Sequence, residues 1–192
     1  MILVVVGLQG SGKSTVAKIL RDKGIRVIEI GDIWRELVKK AGIPMSDTKA
    51  TREFTMQLRE EKGKDIYARY ACERIGDSTE NTVIMGVRST YELDYIKNKM
   101  KNVKVLALEA SLKIRFERMH ERMKPEDPKT LEEFMWLEQR NNQGFMADKK
   151  EAEHGLPVLI RGADYIIHNS STLTALEADL EKVLADIPGF KI

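Results

Sequence analysis

An α/β three-layer sandwich around a five-stranded parallel sheet is the fold class this sequence predicts, and three observations predict it. Short β-branched runs alternate with helical stretches along the chain. The first run, Ile2–Val6, is apolar at every position, as a strand covered on both faces must be. That run leads into Gly7-Leu8-Gln9-Gly10-Ser11-Gly12-Lys13-Ser14, which fits G-x-x-x-x-G-K-[ST] in its proper strand-to-helix context. The class is therefore the P-loop NTPase sandwich.

The elements follow in order. After the loop, Val16, Ile19 and Leu20 recur at helical spacing until Lys23-Gly24 stops the helix. Arg26–Ile30 reads as a second strand closed by Gly31. Ile33, Leu37 and Ala41 then mark a helix ended by Gly42 and Pro44. Two helices are expected around Lys49–Glu61 and Lys64–Ile75, separated by Gly63. Thr82–Val87 and Val103–Leu108 are the third and fourth strands. Leu112–Arg122 is a basic helix broken by Pro125 and Pro128, and a polar helix follows over about Thr130–Asn142. Asp164–His168 is the fifth strand. Leu173, Leu176, Leu180, Val183 and Leu184 give the closing helix its apolar face. Strands linked this way imply right-handed crossovers with helices on both faces.

The 192 residues suit one domain, 1–192, since domains hold about 100–200 residues. Residues 32–81 and 112–162 are the intervals long enough for an acceptor-binding excursion and a lid. Lys and Arg number 32 and Asp and Glu 30, so the net charge is only +2. That excludes a nucleic-acid wrapper built on many uncompensated cations, and leaves room for a local cationic pocket. One cysteine, Cys72, excludes an internal disulfide or a cysteine-rich zinc site. The apolar run at the start is too short for a signal-peptide core or a membrane span, so a cytoplasmic protein is expected. Cys72 reads as a packing residue, and so do Trp34 and Trp136.

The loop carries the chemistry. Its glycines reach torsions closed to other residues and let phosphate touch the main chain. Its amides form a nest for anionic oxygens, and the helix beginning near Lys13 adds its positive end. Lys13 is placed for the β- and γ-phosphates, the Ser14 hydroxyl for Mg²⁺, and Thr15 for the α-phosphate. Gly7, Leu8, Gln9, Gly10, Ser11 and Gly12 complete the ATP cradle. A Ras-type base reader is absent, because Asn98-Lys99-Met100-Lys101 lacks the final Asp and reads as a charged turn. A transporter signature segment is absent too, and helicases need a longer chain. The small-molecule kinases remain.

Gly31-Asp32-Ile33-Trp34-Arg35 resembles the Gly-Asp-x-x-Arg segment of adenylate kinase and its relatives, which implies that Arg35 binds an acceptor phosphate. Met85-Gly86-Val87-Arg88-Ser89 resembles the Asp-Gly-x-Pro-Arg segment of nucleoside-monophosphate kinases and implies the same for Arg88. The order of motifs, with Asp127-Pro128 and Ala163-Asp164-Tyr165-Ile166-Ile167, is similar to an uncharacterised archaeal family of nucleotide-kinase-like P-loop proteins related to adenylate kinase and dephospho-coenzyme A kinase. The likeness covers nearly the whole chain. It implies ATP and Mg²⁺ as cofactors and a nucleoside-monophosphate-kinase-like arrangement. One departure is Met85, where the family usually has Asp; Asp32 becomes the candidate to help Ser14 with the metal.

From Ser111 to Lys124 there are five Lys or Arg and two Glu, a local +3. Arg118 and Arg122 are four apart and share a helix face. In kinases of this type a lid folds arginines over the transferring phosphoryl group, where their charge offsets that of the transition state. Arg118 and Arg122 are the expected lid cations, with Arg115 and Arg140 as further candidates. Asn169, after the fifth strand, sits where related kinases hold adenine with main-chain groups.

The acceptor is expected to be a nucleotide or nucleotide-like small molecule. A monophosphate is already ionised and needs arginines, whereas a hydroxyl acceptor gains from a carboxylate such as Asp32. Transfer to a hydroxyl, as in dephospho-coenzyme A kinase, and a regulatory or assembly ATPase without an acceptor are the competing readings.

Overall fold

The structure is a computed structural model that describes residues 1–122, 128–142 and 154–190, without the side chains at 137 and 140–142. Asp127 and the Arg140 side chain therefore lie outside the described residues. Five parallel strands, β1 (Ile2–Val6), β2 (Arg26–Glu29), β3 (Thr82–Met85), β4 (Val103–Glu109) and β5 (Tyr165–His168), lie in the order β2-β3-β1-β4-β5. β1 is central, with Ile2 in register with Thr82 on one side and Val103 on the other.

The period-2 rule explains why β1 must be apolar throughout. Ile2, Val4 and Val6 join the core on one face; Leu3 and Val5 join the core on the other. All five are buried, and each such side chain stabilises the fold by roughly 1.5–3 kcal/mol relative to exposure. The first face is covered by α2 (Ile30–Lys40), α4 (Ile66–Ile75), α5 (Thr90–Lys99) and α8 (Leu156–Arg161). The second is covered by α1 (Lys13–Asp22) and α9 (Leu173–Asp186), through Val16, Leu20, Leu176, Leu180 and Leu184. Between these come α3 (Thr48–Lys62), α6 (Leu112–Arg122) and α7 (Leu131–Asn142). No helix among the described residues is long and apolar enough to cross a membrane.

Four expectations change. Gly31 does not close β2: pairing with β3 ends at Glu29 opposite Met85, and Ile30 already begins α2, which places Gly31 and Asp32 in the helix's first turn. Helix α5 was not expected, and it absorbs Asn98 and Lys99 in its last turn. A capping box starts it: the Ser89 hydroxyl accepts from the Glu92 N–H, and the Glu92 carboxylate accepts from the Ser89 N–H. Helix α8 was also unexpected, a short one with Pro157 in its first turn. Trp136 is not a packing residue, because it is 58% exposed. Cys72 is buried as expected, and burial pushes its thiol up to about 11.

Candidate active site

The phosphate loop runs from the end of β1 into α1, at the carboxyl edge of the sheet where ligands of open α/β folds bind. Its shape depends on glycine at two positions. Gly12 is the N-cap of α1 with φ +105, and a side chain there would collide with the Asn169 amide. Gly10 has φ +79, and a Cβ there would meet the Arg115 carbonyl oxygen at 2.6 Å. The loop is thus packed backbone-to-backbone on the first turns of α6.

Lys13 curls back over the loop. Its Nζ donates to the carbonyl oxygens of Gly7 at 2.6 Å and Leu8 at 2.8 Å. Burial, then the charges of Arg88, Arg122 and Arg115, push its ammonium down to about 7. Arg88, Arg122 and Arg115 therefore lie within electrostatic reach of Lys13. Ser14 and Thr15 stand in the first turn of α1, with Ser14 exposed.

The residues expected on the acceptor side, Asp32 and Arg35, sit in the first half of α2. Arg35 donates from Nη2 to Asp32 Oδ1, and both side chains are about half exposed. Gly86 packs against this turn, its would-be Cβ 3.4 Å from the Ile30 Cβ. Met85 is buried in the core on the α1 face.

Sequence reasoning missed Glu92, which is 2% exposed. Its carboxylate accepts from the Arg88 and Ser89 amides, fixing the segment that carries Arg88. Burial raises its carboxyl, opposed by those amides and by the Arg59 and Arg88 charges. Ser-x-x-Glu was the signal that could have found it. Beside it, Trp34 Nε1 donates to Thr55 Oγ1 at 2.8 Å, and the buried Tyr67 hydroxyl has no hydrogen-bond partner among the described residues.

Two lid expectations are corrected. Arg115, 4% exposed, is a buried partner of Glu138 on α7 and not a free lid cation. Arg118 is directed at Asn169: Nη1 donates to its carbonyl oxygen at 3.0 Å and Nη2 to Oδ1 at 3.3 Å. Asn169 in turn has both main-chain groups engaged, since its N–H donates to the Glu109 oxygen at 2.7 Å. Its side chain, and not its main chain, reaches the site, with Nδ2 donating to the Ser11 oxygen at 2.9 Å. Arg122 stays within electrostatic reach of Lys13.

The Lys13 shift predicts a pH dependence. A bound anion raises that pKa, so nucleotide binding takes up a proton above about pH 7. ADP affinity is expected to weaken from pH 7 towards 9, by at most about tenfold per unit. Calorimetry in buffers of different ionisation enthalpy checks this; proton uptake absent at pH 8 contradicts it. The sign reverses for stability of the free protein. The unfolded lysine holds its proton to 10.5 and the folded one only to about 7, so stability from this group rises with pH between those values.

A glycine-rich loop closing on a half-buried lysine at the edge of this parallel sheet defines a P-loop protein of kinase-like fold. The chain belongs to the AAA domain family, which it matches over residues 3–153, and it is one with the UPF0200 proteins. It is 35% identical to a UPF0200 protein of Pyrococcus horikoshii over 192 residues, covering 97% of each chain. It is 34% identical to one of Thermoplasma volcanium, covering 96% of each. Among solved structures it is similar to TT1252 from Thermus thermophilus, at a TM-score of 0.66 and 19% identity over 98% of both chains. It is also similar to shikimate kinase from Bacteroides thetaiotaomicron, at 0.56 and 13% over 96% and 97%. These likenesses concern the fold.

Proposed function

We propose that this protein transfers the γ-phosphoryl group of ATP–Mg²⁺ to a nucleotide or nucleotide-like acceptor. The observation that carries the reading is the loop 7–14 with the Lys13 ammonium folded over its Gly7 and Leu8 carbonyls, and with Arg88 and Arg122 near enough for their charges to oppose that ammonium. The charge of Arg115 is already met by Glu138. Cations brought together in this way suit an anion that balances them. The string of phosphates shared by donor and acceptor is such an anion.

In this reading the Lys13 ammonium and the loop amides bind the β- and γ-phosphates. Arg122 offsets charge on the transferring group, and Arg88 and Arg35 hold the acceptor phosphate. Among the described residues no three His, Cys, Asp or Glu are grouped to hold a metal. Ser14 Oγ and the Asp32 carboxylate are the groups that would hold Mg²⁺ together with phosphate oxygens, which is how Mg²⁺ is commonly bound. When bound it supplies charge neutralisation on the β- and γ-oxygens. Transfer to a hydroxyl is the second reading. It rests on Asp32, whose Oδ1 is taken by Arg35 while the carboxylate stays about half exposed.

Arg35→Ala tests the acceptor side. The acceptor KM is expected to rise about tenfold or more, with the ATP KM within about twofold, in a coupled ADP-release assay. A loss confined to ATP affinity would move Arg35 to the donor side and remove its assigned role.

A further inference from the structure

The phosphate loop is held from outside as well as from within. Lys13 pins the Gly7 and Leu8 carbonyls, as a lysine reaching back over its own loop can. Two further carbonyls are pinned by residues distant in sequence. Arg115 Nη1 donates to the Gln9 oxygen at 3.2 Å, and Asn169 Nδ2 donates to the Ser11 oxygen at 2.9 Å. Each of these donors is itself locked. Arg115 also donates from Nε to the Ala110 oxygen at 3.1 Å and is clamped by both Glu138 carboxylate oxygens, with the Phe134 ring 5.5 Å from its guanidinium. Asn169 is held by Arg118 at both its oxygens. Glu138 is 6% exposed, so the ion pair is desolvated on both sides.

A peptide group is planar and trans, so its C=O and the following N–H point in opposite directions. Turning the Gln9 oxygen out to Arg115 turns the Gly10 N–H the other way. Turning the Ser11 oxygen out to Asn169 does the same for the Gly12 N–H. A nest for phosphate needs successive N–H groups converging on one side, and the two outward anchors impose that sense on alternate peptides.

We infer that Arg115, with Glu138, and Asn169, with Arg118, are positioning residues that preorient the Gly10 and Gly12 amides for phosphate. This rests on the nucleotide-binding reading of the loop. It also makes the first two turns of α6 a fixed strut of the site: a lid movement that carried Arg115 or Arg118 away would release the loop.

The test separates orientation from stability. Arg115→Met alone strands a buried carboxylate, so it is combined with Glu138→Leu; replacing a buried ion pair by apolar residues commonly leaves stability unchanged or raised. Asn169→Leu removes the donor to Ser11 at similar size and without adding charge. Both variants are expected to keep a Tm near that of the unaltered protein while ADP binds about tenfold or more weakly by calorimetry. Hydrogen exchange of the segment 7–12 is expected to quicken without ligand present. A stable variant that binds ADP as tightly as the unaltered protein overturns the inference. So does a loss of affinity that simply follows a lowered Tm, which assigns these residues to stability alone. An unaltered protein that binds no ADP overturns the nucleotide reading first, and shows itself before any variant is compared.

Discussion

Lys13→Ala is expected to weaken ADP and ATP binding by roughly 10- to 100-fold, the scale of a lost hydrogen bond to a charged group, and to lower any turnover further, since a donor to charge that develops during transfer is lost too. The lysine is the loop's own cation, and its Nζ already lies against the Gly7 and Leu8 carbonyls. Stability is expected to move little. The change leaves two loop carbonyls without this donor, yet it also removes an ammonium that burial and the charges of Arg88, Arg122 and Arg115 oppose. Loss of binding with a nearly unchanged Tm is therefore the signature. Binding at the level of the unaltered protein would refute the phosphate cradle.

Gly10→Ala is expected to be strongly damaging for a single added methyl group. The backbone at φ +79 costs an L-residue about 1–2 kcal/mol on its own. The new Cβ would also stand 2.6 Å from the Arg115 oxygen and 2.9 Å from its Cα, atoms that cannot swing aside. Gly24→Ala is the control, since Gly24 has nearly the same torsion, φ +77, with nothing within 4 Å. Chemical unfolding is expected to show a loss of about 1–2 kcal/mol at Gly24, from the torsion alone, and a loss larger by about 1–3 kcal/mol at Gly10, with ADP affinity lost only at Gly10. Equal costs at the two positions would mean that the loop does not depend on its contact with α6.

What was legible in the sequence follows from how local each signal is. The strands were readable because a parallel strand buried on both faces leaves an unbroken apolar run, as at Ile2–Val6 and Val105–Leu108. The loop was readable because its glycines and lysine sit at fixed spacing. Helix α5 was missed although Ser89 and Glu92 announced it, because its apolar positions are sparse: only Leu93 and Ile96 are buried among its hydrophobic residues. Gly31 looked like a stop, but a glycine in the first turn of a helix is equally compatible with β2 ending one residue earlier.

The parts of the site that escaped depend on pairing across the fold. Arg115 and Arg118 look alike in sequence, two arginines on a basic helix. Only the arrival of Glu138 from α7 and of Asn169 from the end of β5 tells the two apart from each other. No spacing encodes a partner 23 or 51 residues away. The small net charge of +2 concealed this as well, because buried pairs and surface pairs cancel in the same sum.

The central claim is that the loop's phosphate chemistry is directed to a second small molecule. It is tested most directly by following the label of γ-phosphate-labelled ATP–Mg²⁺ incubated with the full chain and with AMP, CMP, UMP, GMP or dephospho-coenzyme A in turn. Label appearing on one of these acceptors, at a rate that depends on its concentration, is the predicted result. Label released as inorganic phosphate at a rate indifferent to every acceptor, or no release at all, would contradict it.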